Sequence, residues 1–165
     1  MGLLTLLLAF VFFAGVSMTV NEGLWNNTIA VFIIVIAALI SVPWGYVLGG
    51  AIAIAAQPSD EHVWAFFFAG VWGVFALSAI IMRLIADKLS RVRMRFLPQL
   101  DKIGGVLMGL VVATMFNSFV AVTLVMLPLQ AGVWKVEEGS PRQQKTMSRA
   151  AAPIYTALTK FYGAE

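Results

Sequence analysis

Residues 28–56 read TIAVFIIVIAALISVPWGYVLGGAIAIAA, a run without a single Asp, Glu, Lys, Arg or His. A helix rises about 1.5 Å per residue, so roughly 20 residues cross the hydrocarbon core of a bilayer. This run exceeds one upright crossing, and Pro43 stands near its middle, where a ring without an N–H kinks or ends a helix. It reads as one tilted, kinked span, or as a crossing over residues 28–48 followed by Gly49, Gly50 and a short segment lying in the interface.

Three further ion-free apolar runs surround it, at residues 3–20, 63–82 and 103–129. Together they predict an all-α, polytopic membrane protein with four transmembrane helices over residues 1–134. Composition agrees, because 61% hydrophobic and 12% charged residues in a chain of 165, with mean hydropathy +0.91, cannot describe a water-soluble globule. Such a domain must cover much of its surface with polar groups. The first run has no basic segment before it and no good small-x-small cleavage site, so it reads as a retained span.

The third run continues as an amphipathic pattern. Ile81, Ile85, Leu89, Val92 and Phe96 repeat at three- and four-residue spacing, with Arg83, Asp87, Arg91 and Arg95 mostly on the other side. The spacing predicts a basic amphipathic extension of the third span, broken by Pro98, with Asp101 just ahead of the fourth span where a carboxylate suits a helix N-terminus. Residues 135–165 form a short polar C-terminal tail. In it Ile154, Tyr155, Leu158, Phe161 and Tyr162 share a helical face, so the end either lies flat as an interfacial helix or is a partly ordered terminus.

Orientation follows from basic residues in short connections. The link over residues 83–102 holds Arg83, Lys88, Arg91, Arg93, Arg95 and Lys102, while the other two connections hold none. The tail carries Lys135, Arg142, Lys145, Arg149 and Lys160, which nearly balances the count. Charge concentrated in a short link weighs more than charge spread along a tail, so the link is expected in the cytoplasm and both termini outside.

Asp101, Lys102, Gly105 and Gly109, opening the last span after a basic amphipathic segment, form an Asp-basic-Gly-Gly pattern. With Glu22 and Gly23 after the first span, this pattern resembles the colicin V production protein (CvpA) family, whose four-span plan covers essentially the whole chain. The resemblance implies a small bacterial inner-membrane protein needed for making or exporting a secreted peptide toxin and for envelope maintenance. Some relatives carry an extracytoplasmic protease domain after the fourth span, which agrees with an outward tail. The chain also departs from the pattern. Thr5 stands where an early acidic residue is common, Glu22, Asn26 and Asn27 stand where basic residues surround the first turn, and Ala113 replaces a third glycine.

Residues able to carry chemistry are few. With no cysteine and only His62, disulfides, thiolate metal sites and bis-histidine haem are excluded within one chain. No Gly-x-Ser-x-Gly, His-Glu-x-x-His or phosphate-loop pattern occurs, and no ionisable group inside the spans offers a proton relay. Neither an enzyme, a metal, a cofactor nor a nucleic acid is expected. Asp87 and Asp101 read as salt-bridge partners of nearby cations, and the Asp60, Glu61, His62 turn as a solvated one.

Small residues recur every fourth position in three spans: Gly45 and Gly49; Ala65, Ala69 and Gly73; Gly105, Gly109 and Ala113. Such stripes let helix backbones approach closely in lipid, within one chain or between copies in a homo-oligomer. Asn117 and Ser118 either line a pore or bond across to Ser41, Ser78 or Thr114. Arg83, Lys88, Arg91, Arg93 and Arg95 either bind anionic lipid headgroups or act only as topogenic charge. Trp25, Trp64 and Trp134 suit interfacial anchors, and Trp44 and Trp72 suit packing. Two readings of function follow: a non-enzymatic membrane protein working through lipid or protein contacts, or a small oligomeric pore.

Overall fold

A computed structural model describes residues 3–59, 62–89, 98–126 and 141–163. Among them are five helices and no strand: α1 (Leu3–Thr19), α2 (Leu24–Ala56), α3 (Val63–Leu89), α4 (Pro98–Met126) and α5 (Pro141–Tyr162). α2, α3 and the Asp101–Val125 stretch of α4 are long and apolar enough to cross a membrane. α1 is apolar but has 17 residues; at about 1.5 Å per residue it is shorter than the roughly 30 Å hydrocarbon core.

α2 runs unbroken through Pro43 for 33 residues, so residues 49–56 continue the helix and do not form a separate interfacial segment. It starts at Leu24, four residues earlier than hydropathy alone places it, because Asn26, Asn27 and Thr28 are polar yet helical. It ends on Gln57, whose φ of 45° puts a non-glycine residue in the left-handed region while its N–H bonds the Ala53 carbonyl. α4 likewise begins before its apolar run. Pro98 opens the helix, where its missing N–H costs nothing, and Asp101 lies inside the first turn.

α4 is the centre of the bundle. Half of its apolar stretch is buried, against 22% and 17% for α2 and α3. α1 and α2 pack along it, α3 packs against α2, and α5 packs on α4. Leu4, Ala37, Val71, Phe119, Val122 and Met147 bring all five helices into one core. α3 reaches α4 through rings: Phe75 stacks on Phe119 with centroids 4.1 Å apart, and Trp72 meets Phe116 and Phe119 edge-on or tilted. Trp72 is thus a packing residue, whereas Trp44 is 65% exposed and points away from the bundle.

The outside of the bundle is largely apolar, and several polar side chains among the spans are turned inward. Phe10, Phe32, Ile54, Leu77 and Leu107 are exposed, while Asn27, Ser41, Ser118 and Thr123 are buried. Water would penalise that arrangement and hydrocarbon favours it, so the bundle is that of a membrane-embedded protein. Several hydroxyls are satisfied locally: Ser17, Thr28 and Thr114 donate to the carbonyls of Phe13, Leu24 and Leu110 one turn back.

α5 corrects the reading of the tail. It is a 22-residue helix that packs into the bundle and buries Met147, Ala151, Ile154 and Leu158, spaced to form one stripe. The five-residue face expected to lie on a membrane surface is split, with Ile154 and Leu158 inside and Tyr155, Phe161 and Tyr162 outside. Tertiary packing wins because α4 covers the stripe of small and aliphatic side chains on α5. The Tyr162 hydroxyl then donates to the Leu39 carbonyl at 2.7 Å, tying the end of α5 to the middle of α2.

Candidate functional site

Gly23, Asp101, Gly105 and Gly109 converge at one junction. Gly23 precedes α2 in extended conformation and has no side chain to cap that helix, leaving its first N–H groups without intrahelical partners. Asp101, from the first turn of α4, supplies the missing acceptor: the Leu24 N–H donates to its Oδ1 at 2.9 Å. A carboxylate there also meets the positive end of the α2 dipole. Asp101 therefore caps another helix, where the sequence suggested a cap for its own helix or a salt bridge.

Every fourth residue after Asp101 extends the same contact. A Cβ at Gly105 would stand 2.6 Å from the Glu22 carbonyl oxygen, and one at Gly109 would stand 3.0 Å from Thr19 Oγ1. Further along, a Cβ at Gly15 would come within 3.2 Å of the Ala113 methyl. Small residues on α4 thus let α1 and the first turn lie directly on its backbone. Gly23 completes the fit, since a side chain there would run into the Asp101 carboxylate at 2.9 Å. Lys102 is exposed and takes no part.

Two side chains lock the junction. Asn27, 1% exposed, donates from Nδ2 to the carbonyls of Gly105 at 2.8 Å and Thr19 at 2.9 Å, with a longer approach to Glu22. Thr19 donates to its own helix at Gly15 and approaches the Gly109 carbonyl at 3.2 Å. At the rim, Asn26 donates to the Glu22 carboxylate at 2.8 Å. The sequence marked Asn27 only as standing where basic residues surround the first turn of the family it resembles, and it gave Thr19 no role. The available signal was an amide one turn past a glycine in an otherwise apolar run, which in lipid has to find carbonyls.

A second close approach joins α2 to α3. A Cβ at Gly45 would strike the Val71 backbone, and one at Gly49 would lie 2.7 Å from the Phe66 carbonyl oxygen. The matching residue on α3 is Gly70, whose added Cβ would meet the Gly45 carbonyl. The Ala65, Ala69, Gly73 stripe is not that interface: Ala69 and Gly73 are exposed and Gly73 has nothing within 4 Å. The four-residue spacing was right in kind but one position out of register on the α3 surface.

Ser118 does not line a pore. It is fully buried between α4 and α5, donates to the Ala151 carbonyl and accepts the Ile154 N–H, both at 3.0 Å. Its partners are α5 backbone groups, whereas Ser41 and Thr114 bond within their own helices. The Asn117 Oδ1 is sealed inside the bundle without a hydrogen-bond partner, as is the Trp72 Nε1.

Of the basic link, Arg83 and Lys88 are exposed on the last turns of α3, and Arg83 Nε pairs with Asp87 Oδ1 at 3.3 Å. Exposed Ile81, Ile85 and Leu89 share that end of the helix. Arg91, Arg93 and Arg95 lie outside the described residues. His62 Nδ1 is 2.8 Å from the Ser59 hydroxyl, and among the described residues no three His, Asp or Glu side chains gather as metal ligands.

Comparison with family models, with curated proteins and with solved structures finds no match to this chain.

Proposed function

We propose that this chain is a CvpA-like, non-enzymatic protein of the bacterial inner membrane, serving production or export of a peptide toxin and envelope maintenance through contacts with lipids and other proteins. In this reading α1 is the fourth span, the basic link stays in the cytoplasm and both ends of the bundle lie outside. Arg83, Lys88, Arg91, Arg93 and Arg95 meet anionic headgroups there, each contributing roughly 1 kcal/mol near a charged leaflet.

One observation carries the proposal: Asp101 and Gly105 meet the first turn at Glu22, Gly23 and Leu24, and Gly109 meets Thr19 beside it, in a single packed junction. The residues of the pattern thus have a joint task, holding the first hairpin on the last span, that unrelated apolar helices have no reason to share. The test is complementation of a bacterium lacking its own protein of this type. Restored toxin secretion by the unaltered chain, and loss with Gly105→Leu at equal membrane abundance, is expected. Failure of the unaltered chain to restore either secretion or envelope tolerance would sink the reading. For the lipid contacts, changing Arg91, Arg93 and Arg95 to Gln should weaken binding to anionic liposomes.

A further inference from the structure

α5 contains no Asp or Glu, and its two faces are sharply different. Met147, Ala151, Ile154 and Leu158 are buried, while Lys145, Arg149, Ala152, Thr156 and Lys160 form an exposed stripe on the opposite side. Among the described residues the one ion pair is Arg83 with Asp87, so no carboxylate there neutralises this stripe. The position of the helix is fixed by Ser118 in the second half of α4 and by the Leu39 carbonyl in the middle of α2. Both anchors belong to helices long and apolar enough to cross a membrane.

We propose that the outward face of α5 is a docking surface for the headgroups of anionic lipids. A free amphipathic tail would bury its apolar face in lipid and turn its cations to water. Here α4 occupies the apolar face, so the cations are held beside membrane-embedded helices. Lys145, Arg149 and Lys160 need counter-charge and acceptors at that place, and a lipid phosphate supplies both. Exposed Tyr155 adds a ring of the kind that settles at the headgroup level. The surface is distinct from the basic link, which precedes α4. It rests on the membrane-embedded bundle and not on the family reading.

The absence of cysteine makes a site-specific test direct. Full-length Thr156→Cys protein, labelled there with a fluorophore, is reconstituted into vesicles of phosphatidylglycerol and phosphatidylcholine at a fixed ratio, with one lipid or the other carrying brominated chains. Brominated phosphatidylglycerol should quench the label about twofold or more better than brominated phosphatidylcholine, as local enrichment by three cations implies. The preference should vanish when Lys145, Arg149 and Lys160 are all changed to Gln. A label at Leu77→Cys on α3 should be quenched equally by both lipids. Equal quenching at the α5 position, quenching by neither lipid, or a preference that survives the triple change would each overturn the proposal. The Arg83→Gln, Lys88→Gln protein should keep the preference, which separates this surface from any failure of the link to bind lipid.

Discussion

The Tyr162 hydroxyl donates to the Leu39 carbonyl, and Leu39 is the residue whose helical partner would have been the N–H that Pro43 lacks. In an unbroken helix the N–H at position 43 would bond the carbonyl four residues earlier. Proline removes that donor, and an orphaned carbonyl in hydrocarbon has no water to turn to. The last helix brings a phenol to fill the gap.

Tyr162→Phe should therefore destabilise the protein by about 1 kcal/mol, the usual net worth of one hydrogen bond, and by more if the carbonyl stays dry. The same change made together with Pro43→Ala should cost much less, because the alanine N–H can satisfy Leu39. A double-mutant cycle on unfolding in mixed micelles measures the coupling; additive effects would contradict this account.

Ser118→Ala removes the two hydrogen bonds that tie α4 to the α5 backbone, at the Ala151 carbonyl and the Ile154 N–H, next to Pro153, which lacks a donor. A loss of roughly 1–3 kcal/mol is expected. Limited proteolysis should show faster cutting within α5 while α1 to α4 stay protected.

The two kinds of glycine on α3 should behave oppositely. Gly70→Ala drives a methyl into the Gly45 carbonyl and should push α2 and α3 apart, at a cost of about 2 kcal/mol or more. Gly73→Ala meets only open space and should be neutral or stabilising by up to about 1 kcal/mol, since alanine is the better helix former. Thermal unfolding of the two variants in one detergent compares them directly.

Asp101→Ala removes the acceptor at the start of α2 and should cost about 1–2 kcal/mol, with Asp101→Asn losing less because an amide oxygen can still accept. Amide exchange at Leu24 should accelerate in the alanine variant and rise only modestly in the asparagine one.

Where apolar runs were long and free of charge, the sequence announced the helices. α2 and α3 could be read within a few residues, since only a hydrogen-bonded rod crosses lipid. Their ends were less legible: Asn27 looks like a loop residue, and its place inside α2 depends on the Gly105 carbonyl, 78 positions away. Asp101 and the α4 glycines were readable as special, but what they touch was not, because partner choice is a property of the packed bundle. α5 was the main miss. Its alternation of basic and apolar residues marks an amphipathic helix on any surface, and whether that surface is lipid or protein depends on the groove beside Phe119 and Ser118.

Because α5 supplies both the hydroxyl for Leu39 and the backbone partners of Ser118, the bundle is finished by a segment that leaves the ribosome after α1 to α4. Until then the newly inserted hairpins hold an unsatisfied carbonyl and an open seam along α4. Nascent chains arrested before Tyr162 would carry that defect into the bilayer, where membrane quality-control proteases could tell unfinished molecules from complete ones.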